Sequence, residues 1–347
     1  MDRRLLTAAA ASPLLWAAGL AQAETTISDA RTTPVATATA ASGTPDNLTV
    51  ASGGSVKPTS GAAITLNSDN NVSIAGAAGV TDANDSTALL IQGGRRGEVT
   101  ISGALTVDES YTPTDADNDG DLDGPFAQGS NRAGVRVTGT EAFRGSIVQT
   151  AGAIVVEGND SAGIRAQAGV DGSIRAGGSI SVVGDRSIGI HTAGAVGGDV
   201  RTTGGVTAQG AGAIGVAVDG PVGGKLVLGG PVTVSGYRYT TPPSDVSKLD
   251  ADDLLQGGPA VRVRGTVMGG VLVDAPPPNN DPNDDDEDDD GVPDASETTG
   301  VITSYGAAAA PVSAWAWWAQ ATTPMAWSSR ARPRALVSMT ASAPRGW

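Results

Sequence analysis

The chain has 347 residues, of which 49 are glycine and 3% aromatic, and it has no cysteine. So few large side chains exclude the wide core of an ordinary globular domain of this length, and the lack of cysteine excludes disulfide stapling. Acidic residues outnumber basic ones by 37 to 22, which argues against nucleic acid or an anionic membrane surface as a partner.

The first 23 residues read as a secretory signal peptide. Arg3 and Arg4 supply the positive start, Leu5 to Leu20 an apolar stretch, and Ala21-Gln22-Ala23 a small-residue cleavage site before Glu24. Thr7, Ser12 and Pro13 interrupt that stretch, so it is too short to span a bilayer and the mature chain is expected to have no membrane span. Residues 24–70 form a low-complexity segment of Ala, Thr, Ser and Gly with one expected strand, Asn47–Val50. From residue 71 short apolar or alternating runs follow one another: Val72–Ile74, Ala88–Ile91, Val99–Ile101 and Leu105–Val107.

The runs then become a repeat. Ala162-Gly163-Ile164-Arg165, Ile188-Gly189-Ile190-His191 and Ile214-Gly215-Val216-Ala217 stand 26 residues apart. Gly172-Ser173-Ile174, Gly198-Asp199-Val200 and Gly224-Lys225-Leu226 keep the same offset, as do Ile180-Ser181-Val182, Val206-Thr207-Ala208 and Val232-Thr233-Val234. Three short β segments per unit predict an all-β fold, a right-handed parallel β-helix or β-solenoid over residues 71–306. Ile164, Ile190 and Val216 should stack in its core, as should the glycines before them. Arg165, His191 and Ala217 should face solvent.

Three stretches interrupt the units: Asp108 to Gln128, Tyr237 to Gly257 and Ala275 to Glu297, rich in Pro, Asp or Asn. They are expected as acidic loop insertions on the outside of the coils. The last contains Asp286-x-Asp288-x-Asp290-Gly291-Val292-Pro293-Asp294-x-x-Glu297. Carboxylates at positions 1, 3, 5, 9 and 12 with glycine at 6 match a Ca²⁺ loop, and the Val292 carbonyl is a further candidate ligand. The stretch resembles the loops of thrombospondin type 3 repeats and dockerins more than an EF-hand, because no amphipathic helices flank it. A weaker copy comprises Asp115, Asp117, Asp119, Asp121 and Asp123, with Phe126 at the twelfth position. The alternative for both is a solvated acidic linker.

Catalytic signals are sparse. The one histidine, His191, takes the repeat position of Arg165 and Ala217, which marks it as a surface variant. Arg95-Arg96 beside Gly93-Gly94 reads as a turn with solvated charges. Beyond Gly306 the composition changes: Trp315, Trp317, Trp318, Trp327 and Trp347 appear with Arg330, Arg332, Arg334 and Arg345 and no acid. Ala314-Trp315-Ala316-Trp317-Trp318-Ala319 requires codons GCN TGG GCN TGG TGG GCN. From their third base these read (Leu/Met/Val)-Gly-(Leu/Met/Val)-Val-Gly, the vocabulary of the repeat. Residues 307–347 are therefore expected to be a frameshifted, disordered tail.

The signal peptide together with Gly-rich units such as SAGIRAQAGVDGSIRAGGSISVVGDR resembles the passenger region of bacterial autotransporters. That resemblance covers residues 71–305 and implies a β-solenoid carried by a C-terminal outer-membrane β-barrel, although no series of barrel strands follows here. It implies a non-enzymatic passenger at the cell surface or outer membrane or in the medium, adhesive or structural, with host-surface or matrix glycans or proteins as partners. A truncated product would remain periplasmic. The alternative is a carbohydrate-active β-helix enzyme, a polysaccharide lyase or hydrolase, which would need carboxylates clustered on the strands.

Overall fold

The computed structural model describes residues 24–116, 122–238, 247, 249, 251–277, 280–281, 283–287 and 293–305, with two further short strands at 311–313 and 341–342. The signal peptide, residues 1–23, lies outside the described residues. Coil by coil, the strands are β1 (Glu24–Ile27), β2 (Ala30–Arg31) and β3 (Val35–Ala36); β4 (Asn47–Val50), β5 (Ser55–Val56) and β6 (Ala62–Leu66); β7 (Val72–Ile74), β8 (Ala77–Thr81) and β9 (Thr87–Gln92). There follow β10 (Val99–Ile101), β11 (Ala104–Asp108) and β12 (Ala133–Thr138); β13 (Ile147–Gln149), β14 (Ala153–Glu157) and β15 (Ala162–Ala166); β16 (Ile174–Ala176), β17 (Ser179–Val183) and β18 (Ile188–Thr192). The last coils run through β19 (Val200–Thr202), β20 (Val206–Gln209) and β21 (Ile214–Val218); β22 (Leu226–Leu228), β23 (Val232–Ser235) and β24 (Val261–Val263); β25 (Val271–Val273), β26 (Ile302–Tyr305) and β27 (Pro311–Ser313). A final β28 spans Ala341–Ser342.

Each coil gives its first strand to sheet A, its second to sheet B and its third to sheet C. Among the described residues the sheets contain nine, ten and nine strands, and each strand pairs in parallel with its counterparts in the adjoining coils. The fold is an all-β parallel solenoid. Its ladder begins at Glu24, well before the repeat is legible, so residues 24–70 supply β1 to β6. The segment beyond residue 306 contributes β27 to sheet C and β28 to sheet B; an unpaired sheet edge accepts any strand that reaches it.

In each sheet one inward position forms an aliphatic row. Sheet A stacks Val72, Val99, Ile147, Ile174, Val200 and Leu226, sheet B stacks Leu105, Ile154, Ile180, Val206 and Val232, and sheet C stacks Leu89, Val135, Ile164, Ile190 and Val216. All are buried. Burying one such side chain stabilises by about 1.5–3 kcal/mol, so the core is a sum of equal small rungs. A fourth row, Phe143, Val170, Val196, Val222 and Val267, follows the C-to-A corner through single bridges.

Gly163, Gly189 and Gly215 also stack, and for a definite reason. They face inward, where a Cβ at Gly189 would collide with Val206 Cγ1 and with the carbonyl of Gly215. Sheets B and C approach too closely there for any side chain. The strand pairing skips these glycines, so the residues on either side face differently from a plain alternation. Ala217 is a correction to the expected register of solvent-facing residues: it is fully buried, with Ile188 and Ile214, outside the core proper.

Candidate functional site

With so uniform an interior, chemical variety is confined to the outer rows and the corners. Two insertions leave the same corner, between sheets B and C: one joins β11 to β12 and the other joins β23 to β24. The neck of the first is clamped by a buried ion pair. Arg132 Nη1 lies 2.8 Å from Glu109 Oε2, with side-chain exposures of 2% and 5%. Arg132 also donates from Nε to the Ala83 carbonyl and from Nη1 to the Glu157 carbonyl, while Glu109 accepts the N–H groups of Gln128 and Gly129. Nε and Nη1 of the arginine and both oxygens of the carboxylate thus have hydrogen-bond partners, the condition under which buried charges are tolerated.

The second insertion reaches back to the first. The Arg238 guanidinium lies 4.5 Å from the Phe126 ring centroid and donates from Nη2 to the Gly124 carbonyl at 2.7 Å. Gly124 N–H donates to Asp252 Oδ2 at 2.8 Å. Segments more than a hundred residues apart in sequence thus form one surface body. In it, Asp123 N–H donates to the Thr114 carbonyl and its carboxylate accepts from Ala116 N–H, closing a small hairpin. Asp115 is in the same hairpin. Asp117, Asp119 and Asp121 of the weaker acidic loop lie outside the described residues.

The stronger acidic loop leaves the A-to-B corner, between β25 and β26. Asp288, Asp290 and Val292 lie outside the described residues, whereas Asp286, Asp294 and Glu297 are half-buried within them. The structure adds a residue that the spacing argument passed over. Glu287 turns back so that its Oε1 accepts the N–H groups of Asn280 and Asp281, and its own N–H reaches Asp294 Oδ1 at 3.4 Å. Glu287 Oε2 and Asp294 Oδ2 are shielded from solvent without a donor. A proton shared with Glu287 holds the Asp294 carboxyl up at about 6, and the same contact holds Glu287 below its ordinary range. Two facing carboxylates need a proton or a cation between them. Among the described residues no cluster of three or more ligating side chains is assembled.

The outer row of sheet C runs Leu90, Arg136, Arg165, His191, Ala217 and Arg262, in register from β9 to β24. Its lower part is internally neutralised. Asp219 Oδ2 lies 3.0 Å from His191 Nε2 and accepts from Arg262 Nη2 at 2.7 Å, bridging over Ala217. That bridge accounts for the burial of Ala217, where only a small side chain leaves room for it. Burial, with the charges of Arg165 and Arg262, pushes His191 below its ordinary value despite Asp219, so the imidazole is neutral at pH 7. The His191 side chain is 20% exposed and is held as a bridge partner, not offered to solvent as a base.

The upper part is different. Arg136 donates from Nη2 to the carbonyl and Oδ1 of Asn131, and Arg165 donates to Asn131 Oδ1 and to the Asp160 carbonyl. Among the described residues neither arginine makes an ion pair within 4.0 Å, and the Nε of each is shielded without an acceptor.

Among described strand residues the acids are Glu24, Asp108 and Glu157. Asp108 and Glu157 end neighbouring strands of sheet B, but Asp108 accepts from Thr81 Oγ1 and Glu157 from Glu109 N–H, so both serve the neck of the first insertion. Arg95 and Arg96 are exposed after a Gly93–Gly94 turn, as the sequence implies. No helix among the described residues is long and apolar enough to cross a membrane. Comparison with protein families, with characterised proteins and with solved structures finds no match to this chain.

Proposed function

We propose that the chain is a non-enzymatic passenger-type β-solenoid, exported and exposed at the cell surface or in the medium, where it serves adhesion or a structural role. The observation that supports this reading is the solenoid itself. Its interior is built mainly of repeated aliphatic rungs, and the insertions and charged rows lie on the outside, where a partner would meet them. The two neighbouring strand carboxylates bind the chain's own donors, which favours a binding surface over the lyase or hydrolase alternative. Ca²⁺ fits the acidic loops. Asp286, Asp288, Asp290, Asp294, Glu297 and the Val292 carbonyl would hold it in the stronger loop, with Glu287 beside them, and Asp115, Asp117, Asp119, Asp121 and Asp123 in the weaker one. Host-surface or matrix glycans or proteins are the partners to test.

The test is to express the full chain in a Gram-negative host and follow its fate. Cleavage after Ala23 and protease-accessible protein outside the inner membrane are expected. Uncleaved protein retained in the cytosol would overturn the reading.

A further inference from the structure

The two insertions joined at the B-to-C corner present a surface that the regular coils lack. Four large apolar side chains are exposed among the described residues, and two of them, Leu122 at 45% and Leu254 at 53%, belong to this body. Each is two residues from one end of the Gly124–Asp252 hydrogen bond that joins the insertions, so each lies within about 7 Å of it along the chain. Exposed aliphatics scattered singly need no explanation. Two brought to one junction from distant segments of the sequence do.

The aromatic residues gather at the same corner. Among the described residues Phe143 is in the core, and the other aromatics are Tyr111, Phe126, Tyr237 and Tyr305. Tyr111 Oη lies 3.0 Å from where a Cβ on Gly124 would stand. Phe126 lies under Arg238, and Tyr305 pairs with Ser235, two residues before Tyr237. The three tyrosines are half-buried, so each is held in place while part of it stays accessible. Fixed aromatic side chains among aliphatics are the usual anchors of a protein interface.

Charge selects the partner. Asp115, Asp123, Asp252 and Asp253 are all in this body. Asp108 to Gln128 contains no basic residue, and Tyr237 to Gly257 sets Arg238 and Lys248 against Asp245, Asp250, Asp252 and Asp253. Arg238 is committed to Phe126 and the Gly124 carbonyl. The whole chain is anionic, with 37 acidic residues to 22 basic, so a second copy would be repelled. A cationic surface with aliphatic side chains is the complementary partner.

We propose that the joined insertions dock a basic, apolar segment of a partner protein, its aliphatic side chains against Leu122, Leu254 and the tyrosines and its lysines or arginines against the neighbouring aspartates. This deepens the adhesive form of the display reading, on which its biological setting rests, by giving the partner a chemistry.

The experiment is calorimetric titration of the full chain at about 0.15 M salt, with a chelator present, using an amphipathic leucine–lysine peptide, its leucine–glutamate counterpart and oligolysine of equal charge. The leucine–lysine peptide should bind, and the other two should bind at least tenfold more weakly. Leu122→Ser with Leu254→Ser should lower its affinity at least tenfold with unchanged melting temperature. Arg238→Ala makes the body more acidic but separates the insertions, so it should lower the affinity severalfold. Tighter binding by Arg238→Ala, or undiminished binding by the double variant, would overturn the proposal. Oligolysine binding as tightly as the leucine–lysine peptide would do so too, leaving charge alone. Dimerisation of the parent, seen by sedimentation and abolished in the double variant, would give the surface to a second copy and overturn it as well. Export, read by protease accessibility, separates the two readings. Normal export of a parent that binds no peptide removes the docking surface alone. Failed export of a parent that binds the peptide removes the display reading and leaves the docking surface standing.

Discussion

The regular coils from Phe143 to Ser235 and the inserted segments are stabilised by different physics. In the coils, hydrophobic burial is spread over identical rungs, and each strand contacts only its neighbours. In the insertions, a few specific polar and aromatic contacts carry the order: Arg132 with Glu109, and Arg238 with Phe126. A coil position is therefore replaceable by any aliphatic of similar size, whereas an insertion depends on particular partners. The comparison teaches where to expect tolerance and where to expect specificity.

The strongest way to break the coil side is Ile190→Asp, which places an unpaired carboxylate between Ile164 and Val216. A loss of about 3–5 kcal/mol is expected in urea unfolding; a parent-like midpoint would put Ile190 outside the core. On the insertion side, Glu109→Gln should cost about 3 kcal/mol by leaving the Arg132 charge buried and uncompensated. Its effect should concentrate in hydrogen exchange at the neck, near Gln128 and Gly129, and uniform destabilisation of all coils would contradict the division. Arg238→Ala removes a cation–π contact worth about 1 kcal/mol. Limited proteolysis should then cut both insertions faster while the coils keep their melting temperature; faster cutting of the second alone would mean that the two are not joined.

The smallest effect concerns pH. Asp294 titrates at about 6, above its ordinary 3.8. A raised folded pKa means that the proton's contribution is complete below about 4 and is lost as pH rises through 6. A cation would take the place of that proton. Apparent Ca²⁺ affinity at pH 5 should therefore be about tenfold below that at pH 7, measured by calorimetry. Equal affinities would exclude Asp294 as a ligand.

The sequence revealed the coils because their constraint is periodic. Ile164, Ile190 and Val216 recur at a fixed offset, and the inward glycines recur with them since any Cβ there would clash. It showed β4 at Asn47–Val50 but concealed β1 to β3, β5 and β6, because short Ala- and Thr-rich strands do not stand out until a neighbouring ladder pairs with them. The burial of Ala217 was illegible because its cause, the Asp219 bridge, joins three coils. Glu287 was hidden for a related reason: a spacing rule assigns it outward, and only the folded loop turns it back on Asp294. The Arg136–Arg165 pair was not legible: the repeat assigned Arg165 to the solvent side, but the register, not the order, makes Arg136 its neighbour.

The constancy of the coil has a consequence for how such a chain changes length. Removing residues 174–199 would bring Val200 to the place of Ile174, Val206 to that of Ile180 and Ile214 to that of Ile188. The rows through Ile174, Ile180 and Ile190 would close over the gap with an aliphatic on an aliphatic, while Thr202 would come to the place of Ala176 against Gln149. Duplicating the same stretch would be equally silent. The molecule is in this sense modular to one full turn, so its reach can be set by recombination within the gene while its corners and their attachments remain unchanged.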